Sequence, residues 1–82
     1  MVAAGDTEGL VRFLVTSLVD APDSVKVTPR VDGTLTVYEV ELDPEDVGKV
    51  IGRKGRIIKA IRTVVRAAGG AEGAHVDVEV LG

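Results

Sequence analysis

"VIGRKGRIIKAI", Val50 to Ile61, sets two glycines three positions apart in an apolar run and fills the gap with Arg53 and Lys54. Glycine weakens a helix interior, and adjacent cations repel, so the stretch reads as a turn with a charged tip between two helices. Upstream, "DPEDVGKVIG" predicts the first helix, with Asp43 as cap, Pro44 at the first helical position, and Glu45 and Asp46 where the helix dipole favours anions. Gly52 ends it. Downstream, Ile57, Ile58, Ile61, Val64, Val65 and Ala68 trace a wide apolar face, while Lys59, Arg62 and Arg66 recur on another. Gly69 and Gly70 mark the expected end of that second helix.

Outward from this pair, Leu10, Val11, Leu14, Val15, Leu18 and Val19 recur at helical spacing from Thr7 to Val19, with Asp6 or Thr7 as the candidate cap. "DAPDS" breaks the pattern. Val25, Val27 and Val31 alternate with polar residues as a strand, and Pro29 belongs on a sheet edge or at a strand end. "VDGT" supplies a hairpin turn into "LTVYEVEL", residues 35 to 42, which sets Tyr38, Val40 and Leu42 on one face and Glu39 and Glu41 on the other. Val76, Val78 and Val80 alternate with Asp77 and Glu79 in a last strand. The order is helix, strand, strand, helix, helix, strand. It predicts a two-layer α+β domain, a three-stranded sheet packed on one face by three helices. If the second and third strands are neighbours, the helix pair is a crossover between parallel strands.

At 82 residues the chain has room for a single domain, residues 1–82 with a core of about 7–81. It contains no cysteine, which excludes a disulfide framework or thiolate metal site and fits a reducing cytoplasm. "MVAAGDTEG" has neither a basic start nor an apolar run, and no stretch approaches the roughly 20 residues of a membrane span. His75 stands alone, no "GKS" or "GKT" completes a phosphate-binding loop, and Asp43, Glu45 and Asp46 are explained by helix capping and dipole. The expectation is a protein with no catalytic residues, metal or cofactor.

Net charge is −3, which taken alone argues against a polyanionic partner. The distribution says otherwise. Lys49, Arg53, Lys54, Arg56, Lys59, Arg62 and Arg66 are seven of the ten basic residues, and no Asp or Glu falls between Val47 and Ala71. That window carries +7 and the remainder −10, so a basic face is expected on an acidic body. At the glycine turn, helix N-terminal N–H groups meet the loop surface, where phosphate is a natural guest. Gly52 and Gly55 let a nucleic-acid backbone approach, Arg53 and Lys54 supply charge, Arg56, Lys49 and Lys59 extend it, and Arg62 and Arg66 attract from farther off. Val47, Val50, Ile51 and Ile58 are the candidate walls of an apolar groove closed by the strand of Tyr38 and Val40.

These residues resemble the core signature of KH domains, with Gly52-Arg53-Lys54-Gly55 matching the GXXG loop and Ile58 and Ile61 the aliphatic positions after it. The element order resembles the type II, bacterial arrangement. From Leu10 to Leu81, with "LVDAPDSVKV", "PEDVGKVIGRKGRIIKAIRTVVRAA" and "VDVEV", the chain is similar to the small bacterial RNA-binding proteins of the KhpA family. The resemblance implies a clamp on about four nucleotides of single-stranded RNA, a post-transcriptional or RNA-chaperone role, and homodimers or pairing with a larger KH protein, KhpB. Tyr38 and Phe13 are the only aromatics, which counts against folds that stack bases on several rings. A second reading is a protein-interaction module. It rests on Leu35 and Val37, which strand parity puts on the sheet face opposite Tyr38 as exposed apolar surface.

Overall fold

A computed structural model describes residues 6–82, so the reading of Met1 to Gly5 lies outside the described residues. The elements follow as α1 (Thr7–Thr16), β1 (Lys26–Asp32), β2 (Leu35–Glu41), α2 (Val47–Ile51), α3 (Arg56–Ala71) and β3 (His75–Val80). Single 3-10 turns occupy Pro22–Ser24, Pro44–Asp46 and Arg53–Gly55. This is the order the sequence predicts.

The cap of α1 is Asp6, whose carboxylate accepts the Gly9 N–H at 2.8 Å. Thr7 has a different role, its Oγ1 lying 3.0 Å from the Tyr38 hydroxyl. The helix, expected to reach Val19, stops at Thr16. There the Thr16 and Ser17 hydroxyls donate to the Arg12 and Phe13 carbonyls and compete with the helical ladder. Val19 still packs on the core, while Leu18 is exposed.

Strand order is β1-β2-β3, with β1 antiparallel to β2 and β2 parallel to β3. The crossover through α2 and α3 is therefore as expected, and Pro29 lies on an edge strand opposite Tyr38. Val11 and Val15 of α1, Val50 of α2, and Ile61 and Val65 of α3 meet Val27, Tyr38, Val40, Val76 and Val78 in one core. Besides Leu18, three apolar assignments fail, Val31, Val64 and the more marginal Ile57. Val31, one residue before the end of the edge strand at the hairpin, is 73% exposed. Val64 is 47% exposed, so the apolar face of α3 is narrower than its sequence pattern.

The far side of the sheet also departs from expectation. Val37 is buried and Leu35 half-buried. Arg30 crosses this face to reach Glu39 at 3.0 Å and Glu79 at 3.5 Å, and with Asp77 and Arg62 it walls in Val37. Long charged side chains cover the apolar surface with their stems. The exposed patch that motivated the interaction reading is absent here.

Gly69 and Gly70 do not stop α3, which runs on to Ala71. The stop is Gly73, at φ +73°, with Ala74 N–H donating to Gly69 O at 2.8 Å and Gly73 N–H to Gly70 O at 3.0 Å, a Schellman motif. Gly69 is buried for another reason: a Cβ there would overlap Val76 Cγ2, on a stiff β-branched side chain of the core. Around Gly70 the space is open. Gly69→Ala is expected to destabilise by about 1–3 kcal/mol through overpacking, whereas Gly70→Ala gains up to about 1 kcal/mol of helix propensity. Chemical denaturation of the two variants checks the opposite signs.

Candidate nucleic-acid interface

The turn between α2 and α3 is built from backbone that L-residues avoid. Gly52 holds φ +76°, Lys54 φ +57° and Gly55 φ +71°. Lys54 is the non-glycine residue with positive φ among those described. The sequence reading gave Gly52 the task of admitting a ligand, but the structure gives it an internal one. A Cβ at Gly52 would come within 2.6 Å of Ile57 Cγ1, so the Ile57 side chain lies over the bare Cα. Gly55 is the roomier of the two, with only Ile58 Cγ2 near, at 3.8 Å.

Gly55 also stands as N-cap of α3 without a side chain to receive the first N–H groups. The Arg56 N–H donates to Arg53 O, and no side-chain cap receives the N–H groups that follow it at the start of this sixteen-residue helix. Arg53, Lys54, Arg56 and Lys59 gather there, all exposed, and among the described residues none of them has an ion-pair partner. Cations at a helix N-terminus oppose the dipole, so this grouping costs stability until an anion joins it.

The other three cations of the basic window are engaged. Lys49 Nζ reaches Asp20 and, at 2.9 Å, Asp46. The Asp20 and then the Asp46 hydrogen bonds raise its pKa. Asp46 is buried, and besides Lys49 it accepts the N–H groups of Asp20 and Ala21 at 3.2 and 3.0 Å. Lys49 first, then these backbone donors, lower its pKa against the cost of burial. Asp43 caps the turn as predicted, accepting the Glu45 N–H at 2.9 Å, but Asp46 has this tertiary role in place of a dipole one. Arg62 forks onto both Asp77 oxygens at 2.9 and 3.0 Å, and Arg66 adds a contact at 2.7 Å. Asp77 is held far below the ordinary carboxylate range, chiefly by Arg62. Arg62 and Arg66 therefore fasten α3 to β3.

Of the expected groove walls, Val47, Ile51 and Ile58 are half-buried beside the turn. Val50 is not a wall: it is fully buried in the core, as is Val40 of the strand expected to close the groove, and Tyr38 beside it is buried too. Sequence reasoning passed over Gly48, exposed on α2 with nothing within 4 Å of a Cβ. Its signal was present, a mid-helix glycine that no internal packing requires. It leaves the surface beside Val47 low and open. Among the described residues no cluster of His, Asp and Glu is grouped to hold a metal, and no helix is long and apolar enough to cross a membrane.

A sheet of this order, backed by helices and carrying a Gly-x-x-Gly turn between the two crossover helices, defines a type II KH domain. The family model described as KhpA/KhpB, KH domain matches residues 8–80, and the chain belongs to that family. It is 46% identical over 72 residues to the RNA-binding protein KhpA of Clostridium acetobutylicum, covering 88% of this chain and 96% of that one. To the RNA-binding protein KhpA of Listeria monocytogenes it is 40% identical over 74 residues, covering 90% and 97%. Among solved structures, Aquifex aeolicus Era bound to GDP.AlF4- superposes with a TM-score of 0.62 at 23% identity, covering 90% of this chain. The match spans 29% of the Era chain and shows the fold alone.

The left-handed Lys54 makes a sign prediction. Lys54→Gly should be neutral to slightly stabilising, by about 0.5 kcal/mol, as relief of strain outweighs the entropy of the unfolded chain, whereas Lys54→Val should cost about 1 kcal/mol or more. Urea melts would show it. Asp77 governs acid behaviour. An unfolded Asp titrates near about 3.9 and the folded Asp77 lower, so its stabilisation is complete above that pH and is lost as pH falls towards the folded value. Asp77→Asn should be less stable at neutral pH and flatter in its stability below about pH 4, read from denaturation midpoints across pH.

Proposed function

We propose that this chain is a single-stranded RNA-binding protein, one KH module with its core at about residues 7–81, acting in bacterial cytoplasm as a post-transcriptional regulator or RNA chaperone and without catalysis of its own. The observation that carries the reading is the start of α3, which has no side-chain cap and gathers four exposed cations without an ion-pair partner among the described residues. Phosphates meet Arg53, Lys54 and the N–H groups of α3 at the Gly52–Gly55 turn, with Arg56 and Lys59 extending the charge. Bases rest against Val47, Ile51 and Ile58 and the open surface at Gly48. Lys49 acts through its ion pairs more than by contact. The relatives named RNA-binding protein KhpA support the partner class.

One such site holds few nucleotides, so a second copy, or the KH domain of a larger KhpB-like protein, raises affinity by effective concentration. Phe13, 55% exposed, and Val64 on the outer side of α3 support a protein contact of this kind. The interaction-module reading therefore survives on different residues from those that first suggested it.

The test is a salt titration of a fluorescein-labelled, random-sequence ten-nucleotide RNA pool, with the mass of the protein measured by light scattering at the same concentration. Neutralising roughly three phosphates gives a log–log slope near −2 for wild type. Arg53→Asp with Lys54→Asp should weaken binding by roughly tenfold or more with circular dichroism unchanged, since Asp tolerates the left-handed position. Unaltered affinity in a folded double variant would remove the loop from the mechanism. A folded wild type that ignores RNA would sink the proposal itself, and a strictly monomeric mass its pairing clause.

A further inference from the structure

We infer that Asp46 is a positioning residue for the glycine turn: its carboxylate ties α2 to the connection between α1 and β1, and α2 in turn carries Gly52. The functional half of this inference rests on the RNA reading above, while the mechanical half stands on geometry.

Among the described residues Asp46 is the buried charged one, at 2% exposure. A buried carboxylate is retained at a cost unless its oxygens are filled, and here both are. Oδ1 accepts Asp20 N–H and Lys49 Nζ, and Oδ2 accepts Ala21 N–H. Lys49 then reaches on to Asp20, so one strand of chain is gripped by backbone and by side chain at once.

What this grip holds is weak by itself. α2 has five residues, fewer than two turns, preceded by a 3-10 turn, and a helix so short has no independent stability. Val50 alone of its residues is fully buried. Two attachments therefore set where α2 lies, Val50 in the core and Asp46 at its N-terminal end. Gly52 follows six positions after Asp46, about 9 Å along a helix axis. A shift of α2 at Asp46 is delivered to the turn, where Ile57 packs on the Gly52 Cα and leaves little slack.

The decisive variant is Asp46→Asn. An amide has one acceptor oxygen, so its NH2 must face one of the donors that the second carboxylate oxygen now receives. Charge alone predicts the opposite sign, because removing an anion near a phosphate site strengthens RNA binding. Positioning predicts affinity for the random ten-nucleotide pool about tenfold weaker, at a temperature where the variant is folded, with faster amide exchange from Asp20 to Ala21 and at Gly52 but not in Val40 or Val78. Affinity unchanged or improved in the folded variant overturns the inference, and so does unaltered exchange at Gly52. If wild type binds no RNA, the proposed function falls and the exchange data still decide the tether. If Asp46→Asn does not fold, native-state exchange on wild type decides: Asp20, Ala21 and Gly52 should open together, below the global transition, and separate openings overturn it.

Discussion

Three residues of the four from Gly52 to Gly55 hold positive φ, and the site exists only while that backbone is kept. The turn lets the chain leave α2 and enter α3 with the Arg56 N–H donating to Arg53 O and with no side-chain cap for the N–H groups that follow. Ile57 closes over Gly52, so the turn and the first turn of α3 move as one body. On the α2 side the turn is held by the Gly52 N–H, which donates to Gly48 O at 2.9 Å. There the short helix relies on what its ends are fastened to, and the conformation of four residues becomes a property of contacts elsewhere.

Those contacts are electrostatic as well as apolar. The basic window looks uniform as a string of letters, yet the fold divides it by placing two carboxylates within reach. Asp46 and Asp77 engage Lys49, Arg62 and Arg66, and in doing so secure α2 to the α1–β1 connection and α3 to β3. Both carboxylates are shielded, so their hydrogen-bonded pairs are screened less than exposed ones. Among the described residues Arg53, Lys54, Arg56 and Lys59 have no ion-pair partner. Three of the window's seven cations therefore hold the elements around the turn in place, and four are exposed at it.

Periodicity and local chemistry made the element order, the Asp43 cap, the edge position of Pro29 and the parallel crossover legible, because each depends on residues close in sequence. The division of the cations was not legible. Lys49 meets Asp20 across 29 positions and Arg62 meets Asp77 across 15, and no local pattern encodes such reach. Val50 was read as groove and is core because α2 is too short for its apolar period to identify a face. Gly69 and Gly70 looked alike, although only the first sits against Val76. Val37 was read as exposed because strand parity reports direction and says nothing of Arg30 lying across it.

The placement of the two aromatics bears on what the turn can discriminate. Tyr38 is buried with its hydroxyl on Thr7, and Phe13 belongs to α1, so neither lies in the elements flanking Gly52–Gly55. A polyanion at the proposed site would be held by charge and helix N–H groups, with aliphatic surface for its bases, and such contacts tell one base from another poorly. The rest of the chain carries a large negative surplus, and its field fades over a Debye length of about 10 Å at 0.1 M salt, so at the turn itself the local cations prevail. Farther round, on the outer sheet face, Arg30 pairs with Glu39 and Glu79, and Arg62 and Arg66 with Asp77, so most of the carboxylates there are neutralised by cations beside them. Four cations gathered at one turn while the others are spent on ion pairs are thus compatible, in a protein of net charge −3, with the local polyanion site proposed above.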